Sequence, residues 1–167
     1  MKAGLAYTQT PQGTWVGTYG KDGYALLNWN NGSDLISMKQ ASMSFDQGTR
    51  FEWSGATTDM RALQSPDGST RRAETITFDS EVRFRLMFAS AYSGTLHVYA
   101  VDWDSLDRRE TVTIDDGSGP RSATIASDFS QGAWINAPIK VAAGGTVGIW
   151  VIRTGGLNAV VSGLFLG

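Results

Sequence analysis

The sequence predicts an all-β fold, an antiparallel β-sandwich of the jelly-roll type. Twenty glycines and only four prolines stand among many threonine, serine, valine and aromatic residues, a composition typical of short strands joined by tight turns. Apolar and polar residues alternate through much of the second half of the chain, whereas the 3.6-residue period of an amphipathic helix is nearly absent. Short strands at this spacing, separated by glycine-rich turns, indicate a sandwich or jelly roll.

The clearest strand is predicted over 82–88. Four apolar residues from Val82 to Phe88 occupy every second position, and Arg83 and Arg85 lie between them. A strand places successive side chains on opposite faces, so this segment has one buried face and one mostly solvated face.

A central strand is predicted over 95–103, where apolar residues fall on both faces. Further strands are predicted at 74–78, 110–115, 121–126, 133–141, 146–153 and 158–166. The first half is less regular and shows mainly turn signals, at 21–23, 30–34, 46–48 and 65–69.

Length and composition narrow the function classes. The 167 residues suffice for one domain with a real hydrophobic core, and neither a repeat nor a linker divides 1–167. The absence of cysteine excludes disulfides and zinc–thiolate sites. A net charge of −2 with only four lysines argues against nucleic acid as a partner, and no apolar run approaches the ~20 residues that span a bilayer, so no membrane partner is expected.

Several groups of residues, in this order, resemble a known module. They are GTWVGTYGKDGY at 13–24, FEWS at 51–54, TDMRALQ at 58–64, VYAVDWDS at 98–105 and NAVVSGLF at 158–165. Together they are similar to a jelly-roll module of the carbohydrate-binding type, found at the carboxyl end of secreted bacterial glycoside hydrolases and other extracellular proteins. The resemblance implies a non-catalytic domain that docks on polysaccharide.

Aromatic side chains beside turns are the predicted glycan contacts. The chain has six tryptophans and five tyrosines, and aromatic rings stack on the apolar faces of pyranose rings. Trp103 and Trp150 lie within apolar strands and are assigned to the core. We expect two or three of the turn-adjacent aromatic residues to be exposed, and the preferred contacts are Tyr19, Tyr24, Trp29 and Trp53.

Arg61 is a fifth candidate contact. Its planar guanidinium could donate two parallel hydrogen bonds to sugar hydroxyls or to the carboxylate of a uronic acid. The alternative is a structural salt bridge to Asp59, Glu52 or Asp104, and the sequence alone leaves both open.

The densest charged cluster follows the predicted central strand and contains Asp102, Asp104, Asp107, Arg108 and Arg109. Two carboxylates at positions i and i+2 could act as a glycosidase pair, but no further acid–base partner accompanies them, so no catalytic residue is assigned. The three aspartates could instead bind a structural calcium ion, the one cofactor that the sequence suggests. The third interpretation is an ion pair between an aspartate and one of the arginines across the turn.

Two roles remain open. The first is an extracellular module whose partner is a polysaccharide. The second is a structural decoration or cement protein of a phage capsid or tail, built on the same jelly roll, with a coat protein as partner and a homo-oligomeric assembly in the virion. The first residues lack the apolar core of a secretory signal, and a chain without cysteine suits assembly in a reducing cytoplasm.

Overall fold

The computed structural model describes residues 5–167, which form fifteen β-strands and no helix, so the all-β prediction is confirmed. This part of the chain therefore has no helix that could cross a membrane. The strands are β1 Ala6–Thr8, β2 Gly23–Leu26, β3 Leu35–Met38, β4 Ala41–Gln47, β5 Thr49–Ser54, β6 Leu63–Gln64, β7 Arg71–Phe78, β8 Glu81–Phe88, β9 Tyr92–Ala100, β10 Arg109–Asp115, β11 Arg121–Ile125, β12 Ala133–Val141, β13 Thr146–Gly155, β14 Ala159–Val161 and β15 Gly163–Leu166.

Three antiparallel sheets make up the fold. A six-stranded sheet has the order β1-β12-β9-β15-β2-β3, a five-stranded sheet has the order β11-β10-β13-β8-β4, and a smaller sheet has the order β14-β7-β5 with β6 beside β7. The chain passes between the two larger sheets at β3–β4, β8–β9, β9–β10, β11–β12 and β12–β13. This repeated crossing is the connectivity of a jelly roll, as the sequence predicts.

The main core lies between the two larger sheets. Phe84 and Val147 point inward from the five-stranded sheet, and Val98 and Ile135 meet them from the six-stranded sheet, all at most 1% exposed. The inward residues alternate with more exposed ones along β8, because successive side chains of a strand point to opposite faces.

A second apolar cluster covers the outer face of the six-stranded sheet. Trp134 lies at its centre, with ring centroids 4.7 Å from Tyr99 and 5.1 Å from Phe165. Trp15 and Trp29 cover these strand residues from the loops after β1 and β2. The sheet is therefore buried on both faces, which explains why β9 carries apolar residues on both.

Predicted and observed strands differ where the chain leaves a sheet. The central strand ends at Ala100, so 101–103 belong to a loop rather than to β9. The predicted strand 158–166 is divided at Ser162, whose backbone N–H donates to Tyr99 O at 2.8 Å and whose hydroxyl donates to Glu74 O at 2.7 Å. These two bonds tie the smaller sheet to the six-stranded one.

Gly13 brings two loops together beside the candidate site. Its N–H donates to Met60 O at 2.9 Å, and Gln64 N–H donates to Gly13 O at 3.1 Å. A side chain at position 13 would place its Cβ 1.9 Å from Ala62 O, so only glycine permits this approach. The contact fixes the backbone that presents residue 61.

Candidate functional site

An open groove of about 750 Å³ lies where four loops meet at one edge of the sandwich. The loops follow β1, β5, β9 and β11. We call it the loop groove, and its lining residues are Gln12, Asp59, Met60, Arg61, Trp103, Asp104, Ser105, Leu106, Ser130 and Gln131. Hydrogen-bonding side chains thus surround one indole ring, the combination that a sugar needs.

Arg61 and Trp103 form the centre of the loop groove. The guanidinium carbon lies 4.3 Å from the centroid of the Trp103 ring, a cation–π contact. Arg61 also pairs with Asp59 through Nη2–Oδ2 at 2.8 Å and donates from Nη1 to Ser130 O at 3.1 Å. The structural salt bridge considered for Arg61 is thus confirmed, and this ion pair holds the pKa of Asp59 below its usual range.

A smaller and more enclosed pocket of about 150 Å³ adjoins the loop groove. We call it the Trp53 pocket, and its lining residues are Phe51, Trp53, Thr75, Thr77, Asp104, Arg108, Leu157, Asn158 and Val160. Asp104 lines both cavities, so the two adjoin at this residue, and we call them together the cleft. The rings of Phe51 and Trp53 meet edge to face with centroids 6.3 Å apart.

Arg108 forms the floor of the Trp53 pocket. Its side chain is 4% exposed, and its Nη1 donates to Asp102 Oδ1 at 2.6 Å and to Asp104 Oδ1 at 2.5 Å. Its Nε donates to Asn158 Oδ1 at 2.7 Å, and its Cζ lies 5.8 Å from the centroid of the Trp53 ring. The guanidinium is thereby fixed from three sides.

Calcium binding by Asp102, Asp104 and Asp107 stays a prediction, and the position of Arg108 argues against it. The Arg108 guanidinium occupies the position between the first two carboxylates, so the ion-pair interpretation is the one that the structure shows. Nowhere in residues 5–167 do three histidine, aspartate or glutamate side chains come together as metal ligands.

The five predicted glycan contacts do not form one site. Arg61 lines the loop groove and Trp53 the adjoining pocket, but Trp29 is only 8% exposed and borders a separate cavity of about 510 Å³. The half-buried Tyr19 stacks on His97 at 3.8 Å, and the half-buried Tyr24 packs on a buried tryptophan; neither tyrosine lines the cleft. These three side chains lie away from the cleft because they pack into the apolar cluster on the outer face of the six-stranded sheet, and their role in glycan binding stays a prediction.

Sequence reasoning missed the residue at the centre of the groove. The sequence predicts Trp103 in the core because it ends an apolar run; its ring does pack against the second apolar cluster, but it is half-buried and also lines the cavity. The available signal was Asp104, the charged residue that follows Trp103, because aspartate is seldom fully buried and so marks the end of the buried run. Phe51 could also have been identified from the sequence as a second aromatic residue of the site, because it precedes Trp53 by two residues and their rings are in contact.

Exposed apolar side chains concentrate at the cleft. Eight large hydrophobic residues are exposed in the described part of the chain, and four of them line the two cavities. These four are Phe51, Met60, Leu106 and Leu157. Clustered exposed apolar surface marks an interaction site, whereas scattered single residues do not.

Two carboxyl groups with raised pKa values lie outside the cleft. Burial raises the pKa of Glu110 to about 8, and burial together with the neighbouring Glu52 raises the pKa of Glu74 to about 8. Glu110 is fully buried and accepts the Val160 N–H at 3.0 Å through Oε1, while its Oε2 has no hydrogen-bond partner within residues 5–167. Both groups remain protonated at neutral pH in the folded state.

The raised pKa values of Glu74 and Glu110 predict that the free energy of unfolding falls as the pH rises. Between pH ~5 and 7 the unfolded chain has released both protons while the folded chain keeps them, so these two groups lower the free energy of unfolding with a slope of about two protons. His97, whose pKa is lowered by burial, contributes in the opposite direction below pH 6.5. Glu110→Gln should reduce that slope to about one proton, measured by urea denaturation at several pH values. Parallel curves for the variant and the unchanged protein would show that Glu110 does not titrate in this way.

Comparison with known proteins gives structural neighbours only. No protein-family model and no curated protein matches the sequence. A family 35 carbohydrate-binding module from an environmental isolate is 17% identical at a TM-score of 0.44, over 75% of this chain and 88% of the module. The module Xyl-CBM35, in complex with a glucuronic acid-containing disaccharide, is 13% identical at a TM-score of 0.44, with the same coverage.

A third neighbour is an exo-β-1,3-galactanase from Phanerochaete chrysosporium. It is 13% identical at a TM-score of 0.40, over 83% of this chain and 31% of the galactanase. Backbones at these TM-scores agree only in part, and the jelly-roll connectivity of this chain follows from its own strand order.

Proposed function

We propose that the protein is a non-catalytic module that binds polysaccharide in the cleft formed by the loop groove and the Trp53 pocket. The observation that carries this proposal is the Trp103 ring, held on one face by Arg61, within a groove of hydrogen-bonding side chains that adjoins a second aromatic pocket. Indole faces stack on sugar rings, and the surrounding polar groups orient the hydroxyls.

The charges in the cleft favour binding over catalysis. Glycoside hydrolysis needs one carboxyl group that is held protonated as a general acid. Asp59 and Asp104, the carboxylates that line the groove, are each paired with an arginine. The two carboxyl groups with strongly raised pKa values, Glu74 and Glu110, do not line it.

The alternative of a virion decoration protein would need an apolar patch for self-association. Half of the exposed large hydrophobic residues instead line the walls of the cleft, where they combine with polar groups as in a ligand site. A polysaccharide-binding module of this kind would act outside the cell, next to its glycan.

Affinity gel electrophoresis against a panel of soluble polysaccharides, with pull-down on insoluble ones, tests the proposal. We expect saturable retention on at least one polymer. Retention should persist with a calcium chelator, because Arg108 Nη1 already bonds Asp102 and Asp104, the carboxylates that calcium would bind. If no polymer of the panel is retained at any protein concentration, the proposal fails.

A further inference from the structure

The size of the Trp53 pocket limits what it can hold. Its volume of about 150 Å³ is well below the ~300–1,000 Å³ of pockets that enclose a whole drug-sized ligand. It therefore fits a compact substituent of a glycan, while the sugar ring lies in the larger adjoining groove.

The walls of the pocket suit a methyl group. The Phe51 and Trp53 rings form one side, and Leu157 and Val160 add aliphatic surface. Phe51 and Leu157 are 51% and 71% exposed, so the described residues leave much of their apolar surface uncovered. A ligand methyl placed between them would be removed from water together with part of both side chains.

The floor of the pocket offers an unused hydrogen-bond donor. Nη1 and Nε of Arg108 are bonded to aspartate and asparagine oxygens, but Nη2 has no hydrogen-bond partner among the described residues. Arg108 is 4% exposed yet lines the pocket, and Nη2 is not among the fully enclosed unpartnered atoms. Nη2 is therefore accessible, and its two N–H groups can donate to an acceptor on a ligand in the pocket.

The net charge around Arg108 determines which hydrogen-bond acceptor of a ligand can bind in the pocket. One guanidinium and two carboxylates leave Arg108, Asp102 and Asp104 with a combined charge of −1. A ligand carboxylate or sulfate would meet Asp104 at the mouth of the pocket and be repelled. A neutral carbonyl oxygen can accept from Nη2 without that repulsion.

We propose that the Trp53 pocket binds an acetyl group, ester or amide, on a polysaccharide held in the loop groove. The methyl group packs between Phe51 and Leu157, and the carbonyl oxygen accepts from Arg108 Nη2. This inference rests on the proposed function, since the groove must hold the sugar that carries the acetyl group.

Isothermal titration with two pairs of neutral glycans tests the inference. The ester pair is O-acetylated xylan and the same preparation after mild alkaline deacetylation. The amide pair is chitohexaose and cellohexaose, which differ at the acetamido group. In at least one pair we expect the Kd to be about tenfold or more lower for the acetylated member, the discrimination that one small group in a pocket provides.

The variant Phe51→Ala should reduce that preference to less than about threefold, because one wall of the methyl site is lost. Phe78→Ala is the matched control, an exposed phenylalanine on β7 that does not line the pocket, and it should keep the full preference. Thermal denaturation of both variants confirms that they fold.

Equal Kd values within both pairs would overturn the inference while leaving glycan binding intact. Binding to another polysaccharide of the panel, with none of these four bound, would also overturn the inference alone. Loss of binding to every polysaccharide would overturn both the inference and the proposed function.

Discussion

Replacing Asp102 with alanine should lower the free energy of unfolding by about 3–5 kcal/mol, the usual cost of leaving one partner of a buried ion pair unpaired. Asp102 is fully buried and accepts hydrogen bonds from Arg108 Nη1, the Arg108 backbone N–H and the Ser105 hydroxyl. Without this carboxylate, Arg108 would stay 4% exposed with only the half-exposed Asp104 as an anionic partner.

Urea denaturation of Asp102→Ala and Asp107→Ala separates this effect from a general loss of negative charge. Asp107 is an exposed aspartate in the same loop, and surface substitutions usually change stability by less than about 0.5 kcal/mol. Similar midpoints for the two variants would mean that the Asp102–Arg108 pair does not hold the loop together. A much lower urea midpoint for Asp102→Ala would show that this ion pair stabilises the floor of the Trp53 pocket.

Replacing Trp103 with alanine should weaken glycan binding about thirtyfold or more, because loss of a central aromatic anchor costs ~2 kcal/mol or more. The substitution removes the stacking surface and also the ring that fixes Arg61 from 4.3 Å. Affinity gel electrophoresis on the best polymer of the panel measures the change, and a thermal melt confirms folding.

Trp150→Ala is the matched control for Trp103→Ala. Trp150 is also half-buried, but it lies on β13, in register with Thr113 and Arg83 of the five-stranded sheet, and does not line the cleft. Its replacement should change the Kd by less than about twofold, as expected for a residue outside the binding surface. If Trp150→Ala abolished binding and Trp103→Ala did not, the glycan site would lie on the sheet face.

The strands of the second half could be predicted because burial imposes a period on them. β8 alternates strictly, since one face meets the core and the other meets solvent. The short strands of the first half lack that period: β3 has its two central residues exposed, and β5 mixes exposed and half-buried positions. Their pairing depends on tertiary context, which a local pattern does not contain.

The candidate site was predictable only where its contacts are local. The pairing of Arg61 with Asp59 spans two residues and could be proposed from the sequence. The contact of Arg61 with Trp103 O spans 42 residues and depends on how two loops meet. For the same reason the sequence could not show that Trp53 lines the cleft and that Tyr19 and Tyr24 do not, because all three lie beside turns.

A ¹⁵N-resolved NMR titration with the best-bound oligosaccharide tests the central claim most directly. If the cleft is the glycan site, the largest shift changes will fall on backbone amides of 57–61, 102–108, 128–131 and 156–158. Shift changes confined to other surfaces, such as the strand residues around Trp150, would contradict the assignment of the cleft as the binding site.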